Sequence, residues 1–277
     1  MIKKVLIVYD HRKEKLKKHG KEIFRVFAEN FDDIKIIPVN KSFSGKDYDI
    51  VIVFGGDGTL LWCVKKLGEH QIPILGINVG KFGFLTYVEL QQLKNCVEHL
   101  KNRRFNIQDR MLLEIQLKGF KTHIYNALNE TVIHRQNLAR ILEISFFING
   151  KYIATIIGDG IIISTPTGST AHSLSAGGPI VCPQLENIII TPLNAHTLNV
   201  RPLIISSDDT INIKLADYKN TTITFDGREI VTIPEDTEII IRKSKKYAKF
   251  ITFENWNFLR LLVDKFYWGI KKTNTIQ

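Results

Sequence analysis

The chain has 277 residues, 44% of them hydrophobic and 24% charged, and carries a formal net charge of +10. That is a globular composition, large enough for one sizeable domain or two modest ones, and it excludes a low-complexity or disordered chain. Apolar runs stop well short of the ~20 residues that a membrane helix needs, and the run at 5–9 is too short for a signal peptide.

In chain order, "KVLIVY" at 4–9 is a continuous apolar run, as expected of a strand covered on both faces. Leu16, Ile23, Phe24, Phe27 and Phe31 follow at helical spacing. "IKIIPV" at 34–39 is a second strand, its Pro38 suiting an edge or a strand end. "DIVIVF" at 49–54 is a third, followed by a helix face of Leu60, Leu61, Val64 and Leu67. "IPILGIN" at 72–78 is a fourth strand, and 90–102 reads as a helix. Alternating strand and helix give an open, parallel α/β sheet. After about 103 the segments turn β-rich, with "NGK" at 149–151 a hairpin signal. One helix is expected at 168–178, with Ser169 as its cap and glycines at its end. Another is expected at 257–267. The expectation is an α/β N-terminal domain of 1–102 with 251–277, and an all-β C-terminal domain of 103–250.

The positive charge suits an anionic partner or a solubilising surface. No zinc-finger or RNA-recognition spacing is present, so nucleic acid is not expected, and neither is a membrane. "RKSKKYAK" at 242–249 reads as a solvated strand edge. Cys63, Cys96 and Cys182 fit neither a disulfide framework nor a zinc cluster, and read as reduced thiols of a cytoplasmic protein.

Three glycine-rich pieces carry the chemistry. "FGGDGTLL" at 54–61 joins a strand end to a helix start, where open α/β sheets bind ligands. Glycines let a phosphate approach the backbone, yet Asp57 would repel it. A carboxylate there needs a task, such as holding a metal or taking a proton from an attacking hydroxyl. A plain glycine turn with an exposed aspartate is the other reading. "GINVGKFGFL" at 76–85 ends the fourth strand. "GDGIIISTPTGSTAHSLSAGGPIV" at 158–181 sets Asp159 between two glycines and offers hydroxyls to a polar ligand, or else is a capped loop. The pair "NE" at 129–130 is a buried-looking amide and acid that needs partners.

In this order, "GGDGTLL", "GxxGFL", "NE", "DGxxxSTPTGSTAxSLSAGGP", "TPxxxHxLxxRP" and "FDGRE" resemble NAD kinases over about 50–230. The resemblance implies an α/β N-terminal domain plus a β-sandwich-like C-terminal one, crossed back by the C-terminal segment. It implies phosphorylation of the 2′-hydroxyl of NAD's adenosine ribose by ATP or polyphosphate, with a divalent cation, Mg²⁺, and a homodimer or homotetramer. It makes Asp57 the general base, with Gly58 leaving room for the ribose. It assigns NAD contacts to Asn129, Glu130, Arg140, Asp159, Asn194 and Arg228, and to Thr170, Ala171, His172, Ser173, Leu174 and Ser175. Gly55, Gly56, Gly80 and Gly83 would hold the donor phosphates, and no dedicated metal ligands are expected. Three departures stand out: His172 where the family has tyrosine, Asn194-Ala195 where it has a small residue and proline, and Ile157 where some members carry a charged residue or histidine. The alternatives are a GGDG-type lipid or sugar kinase, or a non-catalytic NAD(P)-sensing module.

Overall fold

Six residues form β1 (Lys4–Tyr9), and the four in its middle are wholly buried because helices cover the strand on both faces. The computed structural model describes residues 2–80, 83–119, 121–136, 141–196, 199–219, 221–254 and 256–266. The chain divides into two units: Met1–Gln108 with Phe250–Gln277, and Asp109–Lys249.

The first unit continues with α1 (Glu14–Ala28), β2 (Asp33–Pro38), β3 (Ile50–Gly55), α2 (Asp57–Leu67), β4 (Ile74–Asn78), β5 (Val88–Glu89) and α3 (Leu93–Lys101). Its strands are parallel, in the order β2-β1-β3-β4-β5. Pro38 ends the edge strand, where its missing N–H leaves no gap in the ladder. Leu16, Ile23 and Phe27 of α1 face the sheet, with the Phe27 ring edge-on to Phe54 at 5.8 Å. The chain leaves β1 toward β2 and returns to β3 on the other side. That reversal opens a crevice at the C-terminal ends of β1 and β3. Asp10, the Gly55–Asp57 turn and Asn78 all stand on this edge.

The second unit carries β6 (Asn106–Lys118), β7 (Thr122–Ala127), β8 (Glu130–Arg135), β9 (Leu142–Ile148), β10 (Lys151–Gly158), β11 (Gly160–Ser164), α4 (His172–Ser175), β12 (Asn187–Leu193), β13 (Leu203–Ser206), β14 (Ile211–Leu215), β15 (Thr221–Phe225), β16 (Glu229–Thr232) and β17 (Glu238–Thr252). One sheet is β10-β9-β14-β17 extended by β6 and β7, and the other is β13-β12-β11-β8-β15-β16. Alternate residues of both sheets, among them Ile115, Ile144, Ile163, Ile190, Ile213, Ile223 and Ile241, fill one core. Asn149 and Gly150, at φ 51° and 77°, make the β9–β10 hairpin turn.

Two expectations need correction. The helix expected over 168–178 is only α4, preceded by a 3-10 turn over Thr167–Thr170. Ser169 does not cap it: its hydroxyl is bound to the Val181 backbone. The basic run of β17 is not bare, since Arg242, Lys243 and Lys249 pair with Glu114, Glu186 and Asp109. The last three residues of β17 belong to the first unit, where Phe250 pairs with Ile74. There α5 (Phe258–Phe266) buries Phe258, Leu261 and Leu262.

Candidate active site

In the first unit Asp57 is the first residue of α2, straight after Gly56 as N-cap. A carboxylate in the first turn suits the positive end of the helix dipole. Both oxygens accept hydrogen bonds: Oδ2 accepts the Phe84 N–H (2.8 Å), and Oδ1 accepts the Leu85 N–H (3.0 Å), the Thr86 N–H (3.1 Å) and the Thr86 hydroxyl (3.1 Å), which leaves Oδ2 a further lone pair. Asn78 extends the network, donating to Thr86 Oγ1 (3.1 Å) and accepting the Gly80 N–H (2.8 Å). Gly83 is glycine because a Cβ there would occupy the place of the Asp57 carboxylate. At the end of β1, Asp10 is held below the ordinary carboxylate range by its side-chain hydrogen bonds to Arg12 (2.8 and 3.1 Å).

In the second unit Glu130 opens β8 with Asn129 just before it, and the residue that places them is Asp226, in the turn between β15 and β16. One Asp226 carboxylate accepts the backbone N–H groups of Leu128 (3.0 Å), Asn129 (2.7 Å) and Glu130 (3.2 Å). The residue is half-buried, but its carboxylate is turned inward, and desolvation raises it above the ordinary range against the pull of those amides and of Arg228. Glu130 is 5% exposed, and its Oε2 has no hydrogen-bond partner among the described residues. Burial pushes its carboxyl up to about 8, helped by the Asp226 charge and opposed by the His172 backbone N–H. Glu130 is therefore a neutral acid at neutral pH, able to donate as well as accept a hydrogen bond.

Residues 5–105 match the family model described as the ATP-NAD kinase N-terminal domain, and residues 128–253 match that of the ATP-NAD kinase C-terminal domain. The chain belongs to the NAD kinase family. It is 39% identical over 246 residues to an NAD kinase of Lachnoclostridium phytofermentans, covering 86% of this chain and 84% of that one. An NAD kinase of Aquifex aeolicus is 35% identical over 232 residues, covering 83% and 85%. Among solved structures, an Archaeoglobus fulgidus NAD kinase in complex with ATP superposes with a TM-score of 0.77 at 26% identity, over 95% of this chain and 98% of that one. Yeast NADH kinase complexed with NADH shares the fold, with a TM-score of 0.87 at 23% identity, over 100% and 91%. The two-domain NAD kinase fold and the enzyme class, a phosphotransferase, follow. The lipid-kinase, sugar-kinase and sensor alternatives find no support, since both matched halves are NAD kinase domains.

The NAD kinase signature "STPTGST" is mostly internal carpentry. Ser164, Thr165 and Ser169 are fully buried, and their hydroxyls bind the carbonyls of Thr165, Leu128 and Val181. Gly168 presses on the Asn129 backbone, where a Cβ would collide. The signature thus anchors the NE pair more than it offers hydroxyls to a ligand. Of the segment 170–175, Ser173 is buried against Thr191 (2.9 Å), Thr170, Ala171 and Leu174 are half-buried, and His172 and Ser175 are exposed. Desolvation and the nearby His134 lower the His172 pKa below the ordinary histidine value. Asp159 is bracketed by Arg135 (2.7 Å) and Asn194 (2.8 Å), so the Asn194 departure supplies a donor to that carboxylate. Ile157 is exposed on β10, and Arg228 is exposed in the β15–β16 turn. Arg140 lies outside the described residues. Among the described residues no group of three or more His, Cys, Asp or Glu could cage a metal. Sequence reasoning passed over Asn78, Thr86, Arg135 and Asp226. The signal for Asp226 was in the quoted "FDGRE", and the signal for Asn78 was a polar residue closing an apolar strand.

Proposed function

We propose that this enzyme makes NADP from NAD and ATP, with Asp57 as the general base. The adenosine 2′-hydroxyl gives its proton to Asp57 as its oxygen bonds to the γ-phosphorus. The bond from that phosphorus to the bridging oxygen breaks, and its electron pair leaves on ADP. The ATP complex of the Archaeoglobus relative supports ATP as donor over polyphosphate. A divalent cation would come with the donor as MgATP and would offset phosphate charge, since the described residues offer no cluster of His, Cys, Asp or Glu to hold it. The observation that carries the reading is the Asp57 carboxylate, fixed by three amides and a hydroxyl beside the β1–β3 crevice. The amides around Gly55 and Gly56 are assigned to the donor phosphates and Gly58 to the ribose side; the Gly80 N–H is already taken by Asn78 Oδ1, so Gly80 serves through its lack of a side chain, and Gly83 instead makes room for Asp57. Asn129, Glu130, Asp159, Asn194, Arg228 and the segment 170–175 are the dinucleotide contacts of the second unit, with Arg140 an additional one. Cys63, Cys96 and Cys182 without a disulfide among the described residues fit a cytoplasmic enzyme, and a homodimer or homotetramer is its assembly.

The test is NADP formation from NAD and MgATP by the wild type and by Asp57→Asn. Loss of a positioned base lowers turnover by about 10²- to 10⁴-fold. Near-normal turnover in the variant removes Asp57 from the chemistry, and no NADP from the wild type removes the reading altogether.

A further inference from the structure

On α5 the buried stripe of Leu261 and Leu262 continues one turn on, at helical spacing, to Lys265. Lys265 is half-buried at the end of that stripe. Its Nζ stands 4.4 Å from the centre of the Phe84 ring, and that ring is packed by Phe258 (6.4 Å) and Phe266 (5.5 Å) of the same helix. Phe84 is also the residue whose backbone N–H binds Asp57 Oδ2 at 2.8 Å. Helix, ring and loop thus deliver one cation to the neighbourhood of the carboxylate. Desolvation lowers the Lys265 pKa, and the Asp57 charge works against that lowering.

Positioning Asp57 does not require this lysine, because four other hydrogen bonds already hold the carboxylate. Phosphoryl transfer beside a carboxylate, however, brings a polyanion against a negative group, and the encounter needs a fixed positive charge. We propose that Lys265 binds the phosphate chain of the donor next to Asp57, so that the C-terminal helix completes the donor site. Lys265 stays protonated throughout, and the proton that moves is the one from the ribose hydroxyl to Asp57. The inference rests on the NAD kinase reading above.

The experiment measures Lys265→Gln and Lys265→Arg against the wild type, by steady-state NADP formation and by calorimetric titration with MgATP alone. Loss of one charge-assisted contact is expected to weaken MgATP binding, and kcat/KM for ATP, about 10- to 100-fold in Lys265→Gln. KM for NAD should stay within about twofold, the mark of an interaction made with one substrate only. Lys265→Arg should recover part of the loss, because it keeps the charge. Unchanged MgATP affinity in Lys265→Gln overturns the proposal, as does an equal decline for ATP and NAD with a lowered melting temperature in both variants. Absence of NADP formation by the wild type, with MgATP binding still sensitive to Lys265→Gln, would count against the kinase reading and leave the lysine's role standing.

Discussion

Glu130 and Asp226 are two carboxyls in one desolvated place, and like charges so close cannot both be ionised cheaply. Asp226 has three amides to satisfy it, whereas Glu130 has one amide and an unpartnered oxygen, so the proton rests on Glu130. The Glu130 carboxyl lies at about 8 in the folded protein against an ordinary 4.5. The folded state therefore holds a proton that the unfolded state has lost. Stability falls as pH rises through the window from 4.5 to about 8 and is level above it. Glu130→Gln removes that dependence. Its melting temperature relative to the wild type should climb across the window and then plateau, with the window's exact position shared by the pair. A constant difference between pH 5 and 9, read by scanning calorimetry, would show that Glu130 is ionised throughout. At His172 the lowered pKa leaves a neutral ring near neutral pH, suited to stacking. Tyrosine offers a larger face, so His172→Tyr should lower KM for NAD about 2- to 10-fold, the scale of one aromatic contact. An unaltered KM rules out stacking at that position.

Between residues and domains, the β4–β5 connection works as a clamp: its amides at 84–86 grip Asp57 across a turn in which Gly83 is the only side chain that fits. Gly83→Ala should push the carboxylate off its donors. Turnover should fall about 10²-fold or more, as for loss of the base itself, with the protein still folded. Gly56 is the control, since a Cβ there meets no protein atom within 4 Å. Gly56→Ala should melt like the wild type, and any activity it loses reports the approach of a ligand to that backbone. Wild-type turnover in Gly83→Ala would mean that the grip on Asp57 is dispensable. The elements themselves were legible in the sequence, because β1, β3 and β4 are unbroken apolar runs and α1 keeps a helical period. The glycine-flanked acid at 57 and the NE pair were legible too, as oddities against an apolar background. The supports were not. Whether Ser169 caps a helix or ties down Val181 depends on how the chain folds back twelve residues later, and whether Asp226 faces solvent or gathers three amides depends on a strand almost a hundred residues away. Lys265 reads as one more surface cation until α5 is seen against Phe84.

At the scale of the whole molecule, the two units differ in how the chain supplies them. The second is one uninterrupted stretch, Asp109–Lys249, with its own core of both sheets. The first is made from both ends of the chain, and its core includes Ile251 from the end of β17. Removing 250–277 takes away Phe250 and Ile251, both at most 4% exposed, and with them Phe258, Leu261 and Leu262 of α5. Each such buried side chain contributes about 2 kcal/mol or more by burial alone, against a typical domain stability of about 5–15 kcal/mol. A chain ending at 249 should therefore lose the fold of the first unit and keep that of the second. Limited proteolysis should leave a resistant fragment spanning 109–249, while hydrogen exchange in β1, β3 and β4 loses its protection. Protection of those strands equal to that in the full chain would show that the first unit closes its core without its C-terminal part.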